Sequence, residues 1–390
     1  MITGGTAIAV GEHAVYGIDL ATGRQVWQLI RNGGPLSMPA IGMVARDEVL
    51  VFLDESSVGP SIVGVDLSTL RERWRVPLDA TARSGVTVDD ATAYAADEKG
   101  TVYAVSLATG ALLWTANTIG RVEGPLAVAD ATVYAVARDP DQQLVQLVAL
   151  DPQTGDERWS FSPRVGVATA SVPAAGDGQV VVGSADRLIR GLASSDGVER
   201  WEALSLSLFS PVSAPSDASG HILIADASGG MYRVDATDGS RVWDYQLNEL
   251  IVRSSPVLAG STALLGLNDG RLVAIDVGAG TLVWESAAEP GLIGTIALSP
   301  RAVVAVKGGR APGLVAFAHD PDGALVDVPS PTKVDPGQLF GNFAIAFVAC
   351  VVVIYLPFRT LRSRRGSPID AAEGDPSGDR PEDGAEQDDG

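Results

Sequence analysis

The sequence predicts an all-β fold, an eight-bladed β-propeller of four-stranded antiparallel blades, on three observations. All seven tryptophans, Trp27, Trp74, Trp114, Trp159, Trp201, Trp243 and Trp284, end the same short pattern, which is clearest over residues 272–284. The intervals between them are 47, 40, 45, 42, 42 and 41 residues, long enough for four short strands with their turns, which is the period of a propeller blade. A worn eighth copy at residues 314–327 puts Asp327 at the tryptophan position, 43 residues after Trp284.

Each copy reads as a hairpin closed by its tryptophan. Alternating apolar residues give the period of two expected of a half-buried strand, and Asp-x-x-x-Gly supplies a turn in which glycine takes a positive φ. The indole buries a broad flat surface against the next blade and needs one acceptor for its N–H. Leu70 stands for the glycine, Ser106 and Ala193 for the aspartate, and Asp327 for the tryptophan. Those blades are expected to be the less regular ones.

Taken in order, residues 1–328 form the propeller. Its inner strands are spelled by runs such as residues 254–259 and 124–129, whereas Thr6–Val10 already reads as a second strand. Blade 1 is therefore expected to lack its inner strand, and the natural chain to continue upstream with that strand and an export signal. Residues 329–339 make a proline-containing linker. Residues 340–358 carry no charge and, as a helix, would measure roughly 28 Å, about the hydrocarbon thickness of a bilayer. Arg359, Arg362, Arg364 and Arg365 follow directly, so the positive-inside rule puts the C-terminus in the cytoplasm and the propeller outside. The rest of residues 359–390 is acidic, with almost no apolar residue, and is expected to be disordered.

Composition removes several functions. A net charge of −20 argues against nucleic acid, which needs a clustered basic surface. The single cysteine, Cys350, allows neither an intrachain disulfide nor a thiolate metal cluster. His13, His221 and His319 are isolated from one another, and residues 320–323 start like a calcium loop but lack its later carboxylates. No nucleophile is paired with a base by any local motif.

With its tryptophan-ended turns in hand, the chain resembles the PQQ-like β-propeller repeat family. The likeness covers residues 1–328, and residues 147–159 come close to that family's repeat, known there as the tryptophan-docking motif. The resemblance implies one of two branches. Quinoprotein dehydrogenases hold PQQ and calcium at the axis with an adjacent-cysteine disulfide and a stacking tryptophan. BamB-type envelope proteins take no cofactor and bind proteins. This chain has no cysteine pair and no tryptophan outside the docking positions, so it is similar to the second branch, with no catalytic, cofactor or metal residues expected.

The remaining candidates lie on connecting loops. Arg31, Arg83, Arg121, Arg164 and Arg253 sit on loops leading from an outer strand to the next inner strand, which share a face with the turns holding Glu12, Asp54, Asp97, Asp186, Asp226 and Asp269. They form a candidate partner or anion face, with local ion pairing as the plainer alternative. The same loops carry Leu204, Leu206, Leu208 and Phe209, and Leu250, Ile251 and Val252, as candidate partner contacts. The sequence thus predicts a non-enzymatic protein-binding or scaffold module of the cell envelope, its partners being envelope or membrane proteins and, through residues 340–358, the bilayer. A PQQ-dependent oxidoreductase and a sensor signalling through its tail are the alternatives.

Overall fold

The structure is a computed structural model. It describes residues 2–326 except residues 4, 11–13, 31–42, 47, 57–58, 83, 123, 140, 142–143, 164–172, 185, 205–210, 217–219, 227, 249–255, 289–292, 300–301, 308–312 and 320–324. The worn turn at 320–323, Asp327, the linker, the apolar segment 340–358 and the acidic tail therefore lie outside the described residues.

The described strands form eight antiparallel sheets in which sequence neighbours pair. From first strand to last, sheet 1 is Ile2–Thr3, Thr6–Val10, Ala14–Asp19 and Gln25–Ile30, and sheet 2 is Val44–Arg46, Val49–Ser56, Gly59–Asp66 and Arg71–Pro77. Sheet 3 comprises Thr87–Val88, Thr92–Ala96, Thr101–Ser106 and Leu112–Asn117; in sheet 4, Ala127–Ala129, Thr132–Asp139, Leu144–Leu150 and Glu157–Phe161 are joined by the short Arg121–Val122. Sheets 5 and 6 are Ala174–Gly176, Gln179–Gly183, Leu188–Ala193 and Glu199–Leu204, then Pro211–Ser216, His221–Asp226, Gly230–Asp235 and Arg241–Gln246. Sheet 7 is Val257–Ala259, Thr262–Gly266, Leu272–Asp276 and Leu282–Glu285, and sheet 8 is Ile293–Ser299, Ala302–Lys307, Gly313–His319 and Leu325–Val326.

Both faces of the two middle strands are apolar, and every sheet packs on its two neighbours. Ile8 and Val15 meet Leu50 and Val63 between sheets 1 and 2; Val51 and Ile62 meet Ala93 and Val105 between sheets 2 and 3. The pattern continues round to Leu264 and Leu272 against Ile296 and Val303 between sheets 7 and 8. Val304 of sheet 8 then packs on Ala7, Ala9 and Ile18 of sheet 1, which joins the ends and makes the sheets a propeller.

Blade 1 has an inner strand after all. Ile2 pairs with Ala7 and Thr3 with Thr6 through a turn at Gly5. The sequence reading missed it because a strand near the axis is short: Thr87–Val88 is equally brief, and four further first strands have only three residues. Two residues carry no alternation to read.

The docking motif works as a lock between consecutive sheets. The indole N–H of Trp74 donates to the carbonyl of Leu107 at 2.9 Å, that of Trp114 to Pro152 at 2.8 Å, and that of Trp159 to Ser194 at 2.9 Å. Trp201 reaches Ala236 at 2.9 Å and Trp243 reaches Val277 at 2.8 Å. In each case the acceptor is the residue after the aspartate position of the following blade's turn. The turn's glycine lies flat on the indole, and a Cβ at Gly155 or Gly197 would collide with the ring. Trp27 and Trp284 pack into the clusters that follow their own sheets.

The substituted turns are not irregular. Leu70 adopts φ 55 and its N–H bonds the Asp66 carbonyl at 2.7 Å, while Gly110 bonds Ser106 at 2.8 Å and Gly197 bonds Ala193 at 2.9 Å, matching the 2.9 Å bond from Gly155 to Asp151. Main-chain pairing sets the turn, and the aspartate adds a cap to it. Asp66 Oδ1 accepts from the amides of Ser68 at 3.0 Å and Thr69 at 2.9 Å and from both hydroxyls, and Asp151 accepts from Gln153 and Thr154. These bonds, led by the Ser68 hydroxyl, pull the Asp66 carboxyl down to about 2, and those on Asp19 and Asp151, led by the Thr22 hydroxyl and Arg158, lower theirs as well.

Sheet 8 departs in one respect. In sheet 7 a bulge sets Trp284 opposite Ala274, two residues before Asp276. Sheet 8 has Ala318 at the aspartate place, since Ala302 pairs with Ala318 as Thr262 pairs with Asp276, and its described outer strand pairs Val326 with Ala318 and Leu325 with His319.

Two outcomes follow. Trp201→Ala, which opens a cavity and frees the Ala236 carbonyl, should cost about 3–5 kcal/mol in denaturant unfolding, whereas Val198→Ala at an exposed turn should stay within about 0.5 kcal/mol. Second, the depressed carboxyls stabilise the fold above their unfolded pKa, near 4, and lose that contribution as pH falls toward 2. Asp66→Asn should therefore be less stable than the parent at pH 7, with the gap closing by about pH 2.

Candidate functional site

The carboxylates expected to face the loop arginines are held inside their own sheets. Asp54 is buried and takes the Arg75 guanidinium at 2.8 Å from the outer strand of the same sheet. Asp97 is buried, accepts the Tyr103 hydroxyl at 2.9 Å and caps the amides of Lys99 and Thr101, both at 2.9 Å. Asp226 repeats this arrangement with Tyr232 at 2.6 Å and the amides of Ser228 and Gly230 at 2.9 and 3.0 Å. Burial first, helped by the bond to Asp97 and opposed by the bond from the Asp79 amide, pushes the Tyr103 phenol up. A carboxylate six residues before a tyrosine was the signal for this cap, and it is visible in the sequence.

Asp186 is paired by an arginine of the third strand of sheet 5, and Asp269 by the arginine just before the third strand of sheet 7. Arg190 is buried and donates to Asp186 Oδ2 at 2.6 Å and to Ser184 Oγ at 2.6 Å. Burial opposes ionisation of Asp186, and the bonds from Arg190, Ser184 and the Leu188 amide together outweigh it, so its carboxyl is lowered. Arg271 bridges Asp269 at 2.6 Å and Glu285 at 2.8 Å.

Of the five loop arginines, Arg121 is described: it is exposed and starts the short strand that pairs with Arg138. Arg31, Arg83, Arg164 and Arg253 lie outside the described residues, as do Glu12, Leu206, Leu208, Phe209, Leu250, Ile251 and Val252. Leu204 is described and is 58% exposed at the end of an outer strand. His221 Nδ1 lies 3.0 Å from Arg233 Nη2 inside sheet 6. Among the described residues, no three His, Cys, Asp or Glu side chains gather to hold a metal ion.

The structure adds one surface that the loop-centred reading missed, the outer rim. The two residues before each tryptophan are exposed. In sheets 2, 4 and 5 they are Glu72 and Arg73, Glu157 and Arg158, and Glu199 and Arg200. In sheet 3 they are Leu112 and Leu113, each 51% exposed, and in sheet 7 Leu282 and Val283. Charged outer strands discourage pairing with another chain, and apolar ones permit it.

A family model described as outer membrane protein assembly factor BamB matches residues 58–207 and 204–299. The BamB of Yersinia pestis is 26% identical over 299 residues, 70% of this chain and 71% of that protein. The serine/threonine-protein kinase AfsK of Streptomyces coelicolor is 30% identical over 247 residues, which are 60% of this chain but 29% of the kinase. Among solved structures, the crystal structure of BamB from Moraxella catarrhalis superposes with a TM-score of 0.57 over 75% of this chain and 87% of that one, at 18% identity, a likeness of fold.

The assignment of the turn carboxylates to the blades is open to test. Asp186→Ala would leave the Arg190 guanidinium with Ser184 and a 3.5 Å approach to Glu199. A loss of about 1–3 kcal/mol in unfolding free energy is expected, the cost of an underpaired buried donor.

Proposed function

The chain belongs to the family of the outer membrane protein assembly factor BamB, and from that membership we propose that it is a non-enzymatic, protein-binding propeller of the cell envelope. The observation that carries the reading is where the aromatic and ionic groups are committed. Every tryptophan of the chain serves a joint between blades or packs within one, and the described turn carboxylates are taken up by their own sheets. What the described blades offer outward is an exposed rim, apolar in sheets 3 and 7, together with Arg121. Such a surface suits association with proteins.

In this reading the eight sheets are the blades of a closed ring outside the membrane, tethered through residues 340–358, with the arginines that follow holding the tail in the cytoplasm. Among the described residues no helix is long and apolar enough to cross a membrane, and the tether rests on the sequence of residues 340–358. The match to part of a serine/threonine kinase supports a second reading, in which the propeller senses a ligand and reports it through the tail.

Cross-linking in cells followed by purification of the full-length chain should recover envelope proteins as specific neighbours. Changing Arg83, Arg121 and Arg253 together to Ala should reduce that recovery and leave the far-UV spectrum unchanged. Protein that instead took up added PQQ and reduced a dye would contradict the non-enzymatic assignment. Protease applied to intact cells should digest the propeller and spare the tail; a protected propeller would contradict the topology.

A further inference from the structure

The docking tryptophans are not equally covered. Trp74, Trp114, Trp159 and Trp201, which close sheets 2 to 5, are buried, whereas Trp243, Trp284 and Trp27 of sheets 6, 7 and 1 are only partly so. Sheets 7 and 1 are the two neighbours of sheet 8, through the packing of Leu264 on Val303 and of Val304 on Ala7, and sheet 6 packs on sheet 7. The half-covered indoles therefore mark one arc of the rim, on either side of sheet 8.

Residue type changes over the same arc. The residue before the tryptophan is Arg73, Arg158 and Arg200 in sheets 2, 4 and 5, but Val242, Val283 and Val26 in sheets 6, 7 and 1, where it is 46%, 60% and 55% exposed. Valines this exposed gain little from folding. Arg24, Arg241, Asp244 and Glu285 are exposed among them, so the arc is amphipathic. Exposed aliphatic groups and half-covered indoles interleaved with charges suit a lipid headgroup layer, where a side chain meets acyl chains at one end and water at the other. Sheet 3 differs: Leu112 and Leu113 are exposed there, but Trp114 beside them is buried and the outer strands of sheets 2 and 4 on either side are charged.

The chain also leaves the propeller on this arc. The last described strand is Leu325–Val326, the outer strand of sheet 8. Residues 327–339 alone separate it from the uncharged run 340–358, a reach of at most about 45 Å. A tether that short keeps a bilayer near sheet 8 and the charged outer strands of sheets 4 and 5 away from it.

We propose that the rim of sheets 7 and 1 is a lipid contact, by which the propeller leans on the bilayer surface. Leu282, Val283 and Val26 enter the headgroup layer beside Trp284 and Trp27, and Val242 of sheet 6 lies at the margin. The contact rests on the tethered reading above and adds which edge of the ring meets the membrane; it leaves Leu112 and Leu113 to protein partners.

The test uses the full-length protein with Cys350→Ser and one added cysteine, Val283→Cys, Val26→Cys or, for comparison, Leu113→Cys, each carrying an environment-sensitive fluorophore. The proteins are reconstituted in vesicles of phosphatidylcholine and phosphatidylglycerol, with or without headgroup nitroxides. The nitroxide lipid should dim the labels at 283 and 26 and leave the label at 113 bright. Adding Val26→Asp and Leu282→Asp, both at exposed sites, should keep Tm and abolish quenching at 283. Equal quenching at 283 and 113, no quenching at 283, or unchanged quenching in the aspartate variant would overturn the contact. A label at 283 shielded from an aqueous quencher yet out of reach of the nitroxide would also overturn it, in favour of a protein cover or a second copy. Protein that floats with the vesicles but shows no quenching would remove the rim contact and leave the tether standing; protein that fails to float would remove the tether and, with it, the contact.

Discussion

The structure depends on one repeated contact, an indole laid on the turn of the next blade with its N–H given to a main-chain carbonyl at 2.8–2.9 Å. A four-stranded sheet with two apolar faces cannot stand alone in water, and it is stable only when both faces are covered. In this chain the faces meet through small and branched residues such as Ala93, Ala95, Val133 and Val148, which let the sheets pack closely. The tryptophan supplies direction. It crosses from the rim of one sheet to a defined residue of the next and so sets the angle between them.

That requirement shapes the polar chemistry too. An Asp-x-x-x-Gly turn must keep its shape to receive a ring, and the aspartate cap helps hold it, at the cost of a carboxyl pulled to about 2 at Asp66. On the opposite side of the blades, Asp97 and Asp226 close the facing turns with a tyrosine hydroxyl each. Charged groups used in this way are fixed within a sheet.

Much of the fold was legible because the docking residue is rare and its partners sit at fixed offsets. Seven tryptophans at intervals near 43 residues gave the repeat and the strand order, whereas the carbonyl that takes each indole N–H came from the structure. The inner strand of blade 1 was not legible, since Ile2–Thr3 has no pattern and is defined only by its pairing to Thr6 and Ala7. Nor were the partners of the turn carboxylates: loop arginines looked equally near in a propeller, whereas Arg75 and Arg190 reach them from within the same sheet. The contrast between Glu-Arg and Leu-Leu ahead of tryptophan stood in the sequence, but it acquires meaning only once those residues lie on an exposed edge.

The same logic explains why one joint differs from the rest. Seven joints have an indole to orient them, and among the described residues the joint of Val304 with Ala7, Ala9 and Ile18 has no tryptophan, with Tyr16 and Leu20 partly buried beside it. Local opening draws on the interface with the least buried apolar contact. Hydrogen exchange resolved by strand is therefore the most direct measurement. The account predicts that the main-chain amides of Thr6–Val10 and Ala302–Lys307, which flank this seam, exchange measurably faster than those of Thr132–Asp139 in the middle of the ring. Equal protection at all three strands would contradict the claim that docked tryptophans hold this propeller together.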